Sequence, residues 1–493
     1  MRQTNAARPG RTITSGSDFL QLDIGEAPAG GRAQWLADRL RRAIADGRLP
    51  VGDRLPATRV LAAELGVSRG VVTEAYQRLT EDGSVAGHGR GGTVVVAVPL
   101  SAPPPAAPDR GPPDTALFPG TYDPVAFDAL RVAPARMDLS PGVPDLAAFP
   151  RAAWLRAERT VLGRLEPAGF GYGDPRGTPA LRAAVAAWLA RNRGIRVDPG
   201  EVLVIAGVAQ AFALVARVLR GHGIDRVAVE DPGSPGAREQ LRSWDMATPP
   251  VPVDAGGLRV DALRASGVPA VMLTPAHQFP TGVVLEGDRR RQLMRWADDG
   301  GLIIEDDYDA EHRYDRPPVP ALRSVLPAHV FYAGSMSKLL APALRIGWLL
   351  APARYQDELV AAKRNTDLGN AALPQLVLAE LMASGDLERH LRLLRRRHVR
   401  RRDAMVEAVR AHLPGAVVHG AAAGLHLMVT LGDSVDDVAL AAAALERGVK
   451  VQPLSWHRQR PGPPGLVLGY AGSPPADIEA GLSVLGSVIK ASL

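Results

Sequence analysis

The chain has 493 residues, enough for two or three domains with a sizeable core. It is 46% apolar and 22% charged, carries a net charge of +6 and has no cysteine, which excludes disulfides and thiolate metal sites. No apolar run approaches the roughly 20 residues of a membrane span, and the opening MRQTNAARPGRTITSGSDF lacks the apolar core of a secretory signal, so the expected compartment is the cytoplasm with no membrane partner.

Residues 1–31 are polar and broken by Gly and Pro, and read as a flexible arm. From Arg32 the pattern turns helical: Leu36, Leu40 and Ile44 fall on one face, and Gly47 ends the helix. Thr58 is expected to cap a second helix carrying Val60, Leu61 and Leu65. After Gly66-Val67-Ser68, Ser68 is expected to cap a third helix that runs to about Asp82. In it Val71, Val72, Ala75 and Leu79 share a face, while Arg69, Thr73, Gln77 and Arg78 lie away from it. Two short helices joined by a Gly-containing turn form a helix-turn-helix, whose second helix can enter a major groove. The stretch SVAGHGRGGTVVVAV (84–98) reads as a hairpin wing with His88 and Arg90 at its tip. Residues 32–98 hold 10 Arg against 7 Asp and Glu, only +3, so arrangement rather than charge points to DNA.

The wording GDRLPATRVLAAELGVSRGVVTEAYQRL followed by GRGGTVVV resembles the winged helix-turn-helix of the GntR regulators, over a domain expected at 32–98. The resemblance implies binding to a double-stranded DNA operator through Arg54, Thr58, Arg59, Ser68, Arg69, Arg78, His88, Arg90 and Thr93. Residues 99–121 are proline-dense and read as a semi-extended linker.

From Tyr122 to the end, apolar runs alternate with helical stretches. The strand candidates are VLVIAG (202–207), RVAVED (226–231), AVMLTP (270–275), GLIIEDDY (301–308), HVFYAG (329–334) and RIGWLLA (345–351). This pattern predicts a multidomain α/β chain whose larger part, 122–493, has a mainly parallel sheet covered by helices. Ligands in such sheets sit outside the carboxyl ends of strands, where Gly207, Asp306 and Lys338 fall. A long Arg-rich helix (about 387–413), LHLMVTL, an Ala-rich helix and LVLGYA predict a smaller C-terminal α+β subdomain.

Four lysines stand against 54 arginines, and Lys338 follows the run Val330 to Ala333 and the small residues Gly334, Ser335 and Ser337. Hydroxyls and an amine at a strand end suit a phosphate and a carbonyl together, as in a Schiff base with pyridoxal 5'-phosphate (PLP). The PLP pyridine nitrogen then needs a carboxylate, and GLIIEDDYD ends a second strand in acids.

The wording YGDPRG (172–177), EDPG (230–233), TPAHQFPTG (274–282) and EDDYD (305–309) is similar to the MocR/PdxR subfamily of GntR regulators, whose larger domain resembles fold-type I PLP enzymes of the aspartate aminotransferase kind. The resemblance implies that Lys338 carries the Schiff base, Asp306 pairs with the pyridine nitrogen and Tyr308 meets the 3' oxygen. Gly207, Ser335, Ser337 and Arg345 would hold the phosphate, and Tyr172 would reach the phosphate of a neighbouring subunit in a head-to-tail homodimer. His277 and Gln278 belong to the same wording with no role assigned. Three positions depart from it: Ser234 stands where an aromatic stacks on the cofactor, Gly207-Val208-Ala209-Gln210 is poorer in Gln than the usual phosphate loop, and Val467 stands where aminotransferases grip the substrate carboxylate with arginine. The expectation is a PLP-responsive regulator without turnover, sensing PLP or a PLP-amine adduct. The alternatives are a dimerisation scaffold that has lost PLP and a working aminotransferase.

Overall fold

The computed structural model describes residues 19–28, 30–87, 92–96, 117–314 and 319–492, and the chain divides between residues 114 and 115 into two compact units. His88 and Arg90, most of the expected linker and arm (99–116 and 1–18) lie outside the described residues.

The first unit consists of α1 (Arg32–Ala45), α2 (Thr58–Glu64), α3 (Arg69–Glu81) and the strands β1 (Val85–Gly87) and β2 (Thr93–Val95). The strands pair antiparallel with Val85 opposite Val95, as a wing should. Leu36, Leu40 and Ile44 of α1 meet Leu61 of α2, Val72, Ala75 and Leu79 of α3, and Val85 and Val95 in one core. Two expectations need correction. The core residue beside Val72 is Tyr76 rather than Val71, which is only half-buried; the Tyr76 hydroxyl donates to the Pro56 carbonyl at 2.8 Å, so its polar end is satisfied inside. Thr58 is the first residue of α2 and Ala57 takes the cap position, with no side-chain cap bond; Ser68 does cap α3 by position, but its hydroxyl also makes no cap bond. The Thr58 hydroxyl instead accepts from Arg69 Nε at 3.2 Å.

The second unit opens with α4 (Pro124–Val132), β3 (Met137–Asp138), α5 (Arg151–Arg164) and α6 (Pro179–Arg193). Strands and helices then alternate: β4 (Leu203–Ile205), α7 (Val208–Gly221), β5 (Val227–Asp231), α8 (Pro235–Arg242), β6 (Pro250–Asp254), β7 (Gly257–Leu258), α9 (Val260–Ser266), β8 (Ala270–Leu273), α10 (Gly287–Asp298), β9 (Leu302–Asp307), β10 (Val330–Ser335) and β11 (Gly347–Leu350). These strands form an eight-stranded sheet in the order β4-β11-β10-β9-β8-β5-β6-β7. It is parallel from β10 through β6, and β11 runs against both of its neighbours. All six strand candidates are present, and the sequence missed the edge pair β6 and β7.

The strands alternate between two cores. Leu302 and Ile304 of β9 join Phe331 and Ala333 on the face covered by α7 and α11 (Ala353–Asp367). Ile303 joins Val330 and Tyr332 on the opposite face, with α6. This period of two decides which acids at the end of β9 point together.

After α11 come α12 (Ala372–Ala383), α13 (Asp386–His412), β12 (Val417–His419), β13 (His426–Thr430), α14 (Asp437–Glu446), β14 (Val449–Lys450), β15 (Gln452–Pro453), β16 (Gly465–Gly469) and α15 (Pro475–Ser492). A four-stranded sheet, β12-β13-β16-β15, packs on α13, α14 and α15 as the expected smaller subdomain.

Candidate functional site

The site lies where β9, β10 and β4 end. Parallel pairing sets Asp306 opposite Ala333, and β10 finishes two residues later at Ser335. The chain then turns, and the half-buried Lys338 donates from Nζ to the Gly142 carbonyl. Gly142 has φ +80°, and a Cβ there would stand 3.2 Å from Nζ, so a bare backbone lets the amine in. Burial lowers the lysine's pKa, opposed by the charges of Asp306 and Asp309.

The three acids of β9 have different surroundings. Glu305 accepts the N–H groups of Leu322 and Arg323 at 2.8 and 3.0 Å. On the same face, Asp307 Oδ2 accepts from Arg193 Nε at 2.6 Å and from the Tyr332 hydroxyl at 2.5 Å. Asp306 points to the other face, and its buried Oδ1 has no hydrogen-bond partner among the described residues. Burial, reinforced by Asp307 and Asp309, pushes the Asp306 carboxyl up to about 7, and Lys338 pulls it back. A buried carboxylate oxygen left unpaired is costly unless something meets it. A protonated ring nitrogen is a group that this oxygen, beside this amine, would fit.

At the end of β4, Gly207 (φ +83°) leads into α7. The first-turn N–H groups of α7 and its positive dipole end suit an anion. Strand β11 brings Arg345 alongside: Gly347 pairs with Ile205, and the guanidinium lies 3.1 Å from where a Gly207 Cβ would be. Arg345 bonds the Ala206 carbonyl and has φ +52°. Ser335 is buried and Ser337 half-buried, with the Ser337 N–H on Ser335 Oγ at 3.4 Å. Gln210 is spent on structure, accepting from Ala206 N at 2.8 Å and donating to Asp367 at 2.7 Å.

Tyr308 lies beside His277, whose Nδ1 is 3.0 Å from the tyrosine oxygen and 2.8 Å from Asp309 Oδ2. Burial first, then Asp309, raises the Tyr308 hydroxyl well above its ordinary value. Donor atoms of His277, Asp309 and His426 come within 4.8 Å of one another. Their hydrogen bonds already account for that closeness, since His277 faces Asp309 and His426 Nε2 bonds the Pro280 carbonyl at 3.1 Å.

The departures have structural explanations. Ser234 caps α8, its hydroxyl accepting from Ala237 N at 3.2 Å. Val467 is buried with Met428 and Leu454, and Phe279 packs on them, so apolar side chains fill the place of the arginine. Tyr172 is 95% exposed and joins nothing in its own chain's site. The remaining wording is internal stitching. Asp174 binds Arg176 at 2.7 Å, and Glu230 accepts from Thr274 Oγ1 at 2.8 Å. Gln278 joins the Pro232 carbonyl at 2.9 Å to Thr281 N at 3.0 Å.

In the first unit Arg54, Arg59, Ser68 and Arg69 are exposed, and Thr58 and Thr93 are half-buried. Arg78 is held within the unit, by Glu74 at 2.7 Å and by Gln34. Arg193, His277, His426 and Gly142 were not singled out as site residues from sequence; His277 alone carried a signal, through its motif.

Residues 32–95 match the bacterial regulatory proteins of the gntR family, and residues 135–485 match aminotransferase class I and II. The chain is 32% identical to the probable rhizopine catabolism regulatory protein MocR of Rhizobium meliloti, over 92% of this chain and 93% of that one. It is also 32% identical to the pyridoxine biosynthesis transcriptional regulator PdxR of Corynebacterium glutamicum, covering 88% and 91%. Among solved structures, Pyrococcus horikoshii kynurenine aminotransferase, crystallised with PMP, superposes with a TM-score of 0.68 at 26% identity, over 74% of this chain and 93% of that one.

Proposed function

The chain belongs to the MocR/PdxR-type regulators of the GntR family, in which a helix-turn-helix is joined to an aminotransferase class I and II domain, and on that premise we propose that its DNA binding responds to PLP or to PLP joined to an amine. The observation that carries the proposal is the unpaired Asp306 oxygen on the face of β9 that leads to Lys338. When bound, the cofactor supplies a carbonyl for a covalent bond to an amine and a ring that withdraws electrons.

The chain's own residues then have distinct tasks. Lys338 Nζ, its pKa lowered by burial, offers a neutral amine more readily than an exposed lysine does. Asp306 would hold a proton on the ring nitrogen through its unpaired oxygen. Tyr308 would donate a hydrogen bond from its hydroxyl to the 3' oxygen. The first turn of α7 after Gly207, with Ser335, Ser337 and Arg345, binds the phosphate by charge-assisted bonds. The exposed Tyr172 supports a contact with the phosphate of a second subunit in a head-to-tail dimer. In the first unit, Arg54, Thr58, Arg59, Ser68, Arg69 and Thr93 contact the operator, and Arg78 is available only if it leaves Glu74 and Gln34.

Turnover of amino acids is not part of this reading. An α-carboxylate needs a cation to hold it, and the Val467, Met428 and Leu454 cluster provides apolar contact in its place. Ser234, occupied as a cap, favours the rival reading of a scaffold without cofactor. Operator binding measured with and without PLP separates the two, because a ligand shifts DNA affinity only through differential binding. The proposal expects PLP to change the operator Kd of the wild type and not of Lys338→Ala. Equal response of the two proteins, or none, would contradict it.

A further inference from the structure

We propose that His277, braced by Asp309, is a positioning residue that forces the Tyr308 hydroxyl to donate its proton away from itself, toward the cofactor's 3' oxygen. The inference rests on the PLP reading and deepens it.

The argument is one of proton inventory. An imidazole Nδ1 carries either a proton or a lone pair. The side chains of His277 and Asp309 are each 1% exposed, and the 2.8 Å contact of Nδ1 with a carboxylate oxygen assigns the proton to Nδ1. That N–H is also 3.0 Å from the Tyr308 oxygen, so the tyrosine meets a donor there and must accept. Its own proton is left to point elsewhere. Asp309 lies within reach of the hydroxyl as a competing acceptor; in the wild type the Nδ1–H occupies its Oδ2, and leucine at 277 would free that oxygen to draw the tyrosine proton from the 3' oxygen.

The ring cannot swing away. A Cβ at Gly424 would stand 2.0 Å from His277 Cε1, and one at Gly282 3.1 Å from Nε2, so two left-handed glycines (φ +84° and +71°) clamp it edge-on. The Gly424 segment is itself tied down: its N–H bonds the His312 carbonyl at 2.8 Å, and Tyr470 donates to its carbonyl at 2.7 Å. The ring of His426 lies 5.3 Å from that of His277 and closes a further side. The groups whose charges act on this spot are Asp309 and Asp306, Glu230 on β5, His277, His426 and Lys338.

A donor at the 3' oxygen stabilises the negative charge that this oxygen carries once the Lys338 nitrogen loses its proton, and so lowers the pH at which the bound cofactor's visible band titrates. The test is that pH midpoint in the PLP-loaded full-length protein. His277→Leu is expected to raise it by about one unit, a tenfold change in proton affinity. Tyr308→Phe should raise it at least as far, and the double variant no further than Tyr308→Phe alone. His277→Asn, which keeps an N–H near the Nδ1 position, should stay near the wild type. Asp309→Asn, which frees the imidazole to turn over its proton, should raise the midpoint partway and serves if His277→Leu does not fold. A His277→Leu midpoint at the wild-type value, or shifts that add in the double variant, overturns the inference and leaves the PLP reading intact. Absence of any visible band in wild type overturns both.

Discussion

Asp306 and Asp307 are neighbours on one strand, of one residue type, and they face opposite sides of the sheet. Toward α6, Asp307 Oδ2 is held by Arg193 and Tyr332 at 2.6 and 2.5 Å, with the arginine and aspartate side chains 1% and 2% exposed, while its Oδ1 has no hydrogen-bond partner among the described residues. Toward α7, Asp306 keeps a buried oxygen with no partner among the described residues. Burial alone does not distinguish a structural acid from a ligand-facing one. The distinction lies in whether the protein supplies a charged partner: Asp307 has Arg193 on one oxygen, whereas Asp306 has no such partner on its buried oxygen, and on the proposed reading a ligand supplies it.

The largest effect expected of this contrast is on stability. Asp307→Ala leaves the Arg193 guanidinium buried without its ion-pair partner, and should cost about 3–5 kcal/mol in denaturant unfolding. Asp306→Ala should cost less than about 1 kcal/mol, because no bond within the chain is lost. Equal losses would erase the difference between the faces. Cofactor affinity should rank them the other way: Asp306→Ala is expected to weaken PLP binding by about 2–3 kcal/mol, or roughly 30- to 150-fold, in an absorbance titration.

A similar contrast separates Arg69 from Arg78 on α3, since Arg69 is exposed while Arg78 is held by Glu74 at 2.7 Å. Arg69→Ala should weaken operator binding by about 1–2 kcal/mol and, if it meets a phosphate, lower the salt slope by about one, whereas Arg78→Ala should do less. Fluorescence anisotropy at several salt concentrations reads both, and a larger loss at Arg78 would reverse the assignment.

The contrast also has a pH dependence. With its folded pKa raised to about 7 from an ordinary 3.8, Asp306 favours folding when protonated. Its contribution is complete below the ordinary value and is lost as pH rises through the raised one. In the absence of cofactor, Asp306→Asn should therefore gain on the wild type between about pH 4 and pH 7 and hold a constant advantage above. A flat difference across that range would mean that Asp306 is not desolvated.

Much of this was legible in the chain because strands announce themselves through local patterns. The run Leu302-Ile303-Ile304 placed β9, but the choice of Asp306 among its acids rested on the family resemblance, and its register opposite Ala333 is visible only in the structure. The helix face Val72, Ala75 and Leu79 was readable for the same reason, whereas Tyr76 required knowing that Pro56 would offer a carbonyl. Pairings distant in sequence were not readable. Arg193 meets Asp307 across 114 positions, and Gln278 meets Pro232 across 46, so neither partner could be chosen from spacing. His277 stood in a recognisable motif, yet its task depends on the glycines that clamp it, which come from two other segments. Thr58 shows the converse failure: a good capping residue by type, it lies one position inside the helix and bonds Arg69.

The most direct test of the account is to add PLP to the purified protein and record its visible spectrum, for the wild type and for Lys338→Ala. The account predicts a saturable band in the wild type that is absent from Lys338→Ala. No band in the wild type at saturating PLP, or the same band in both proteins, would contradict it.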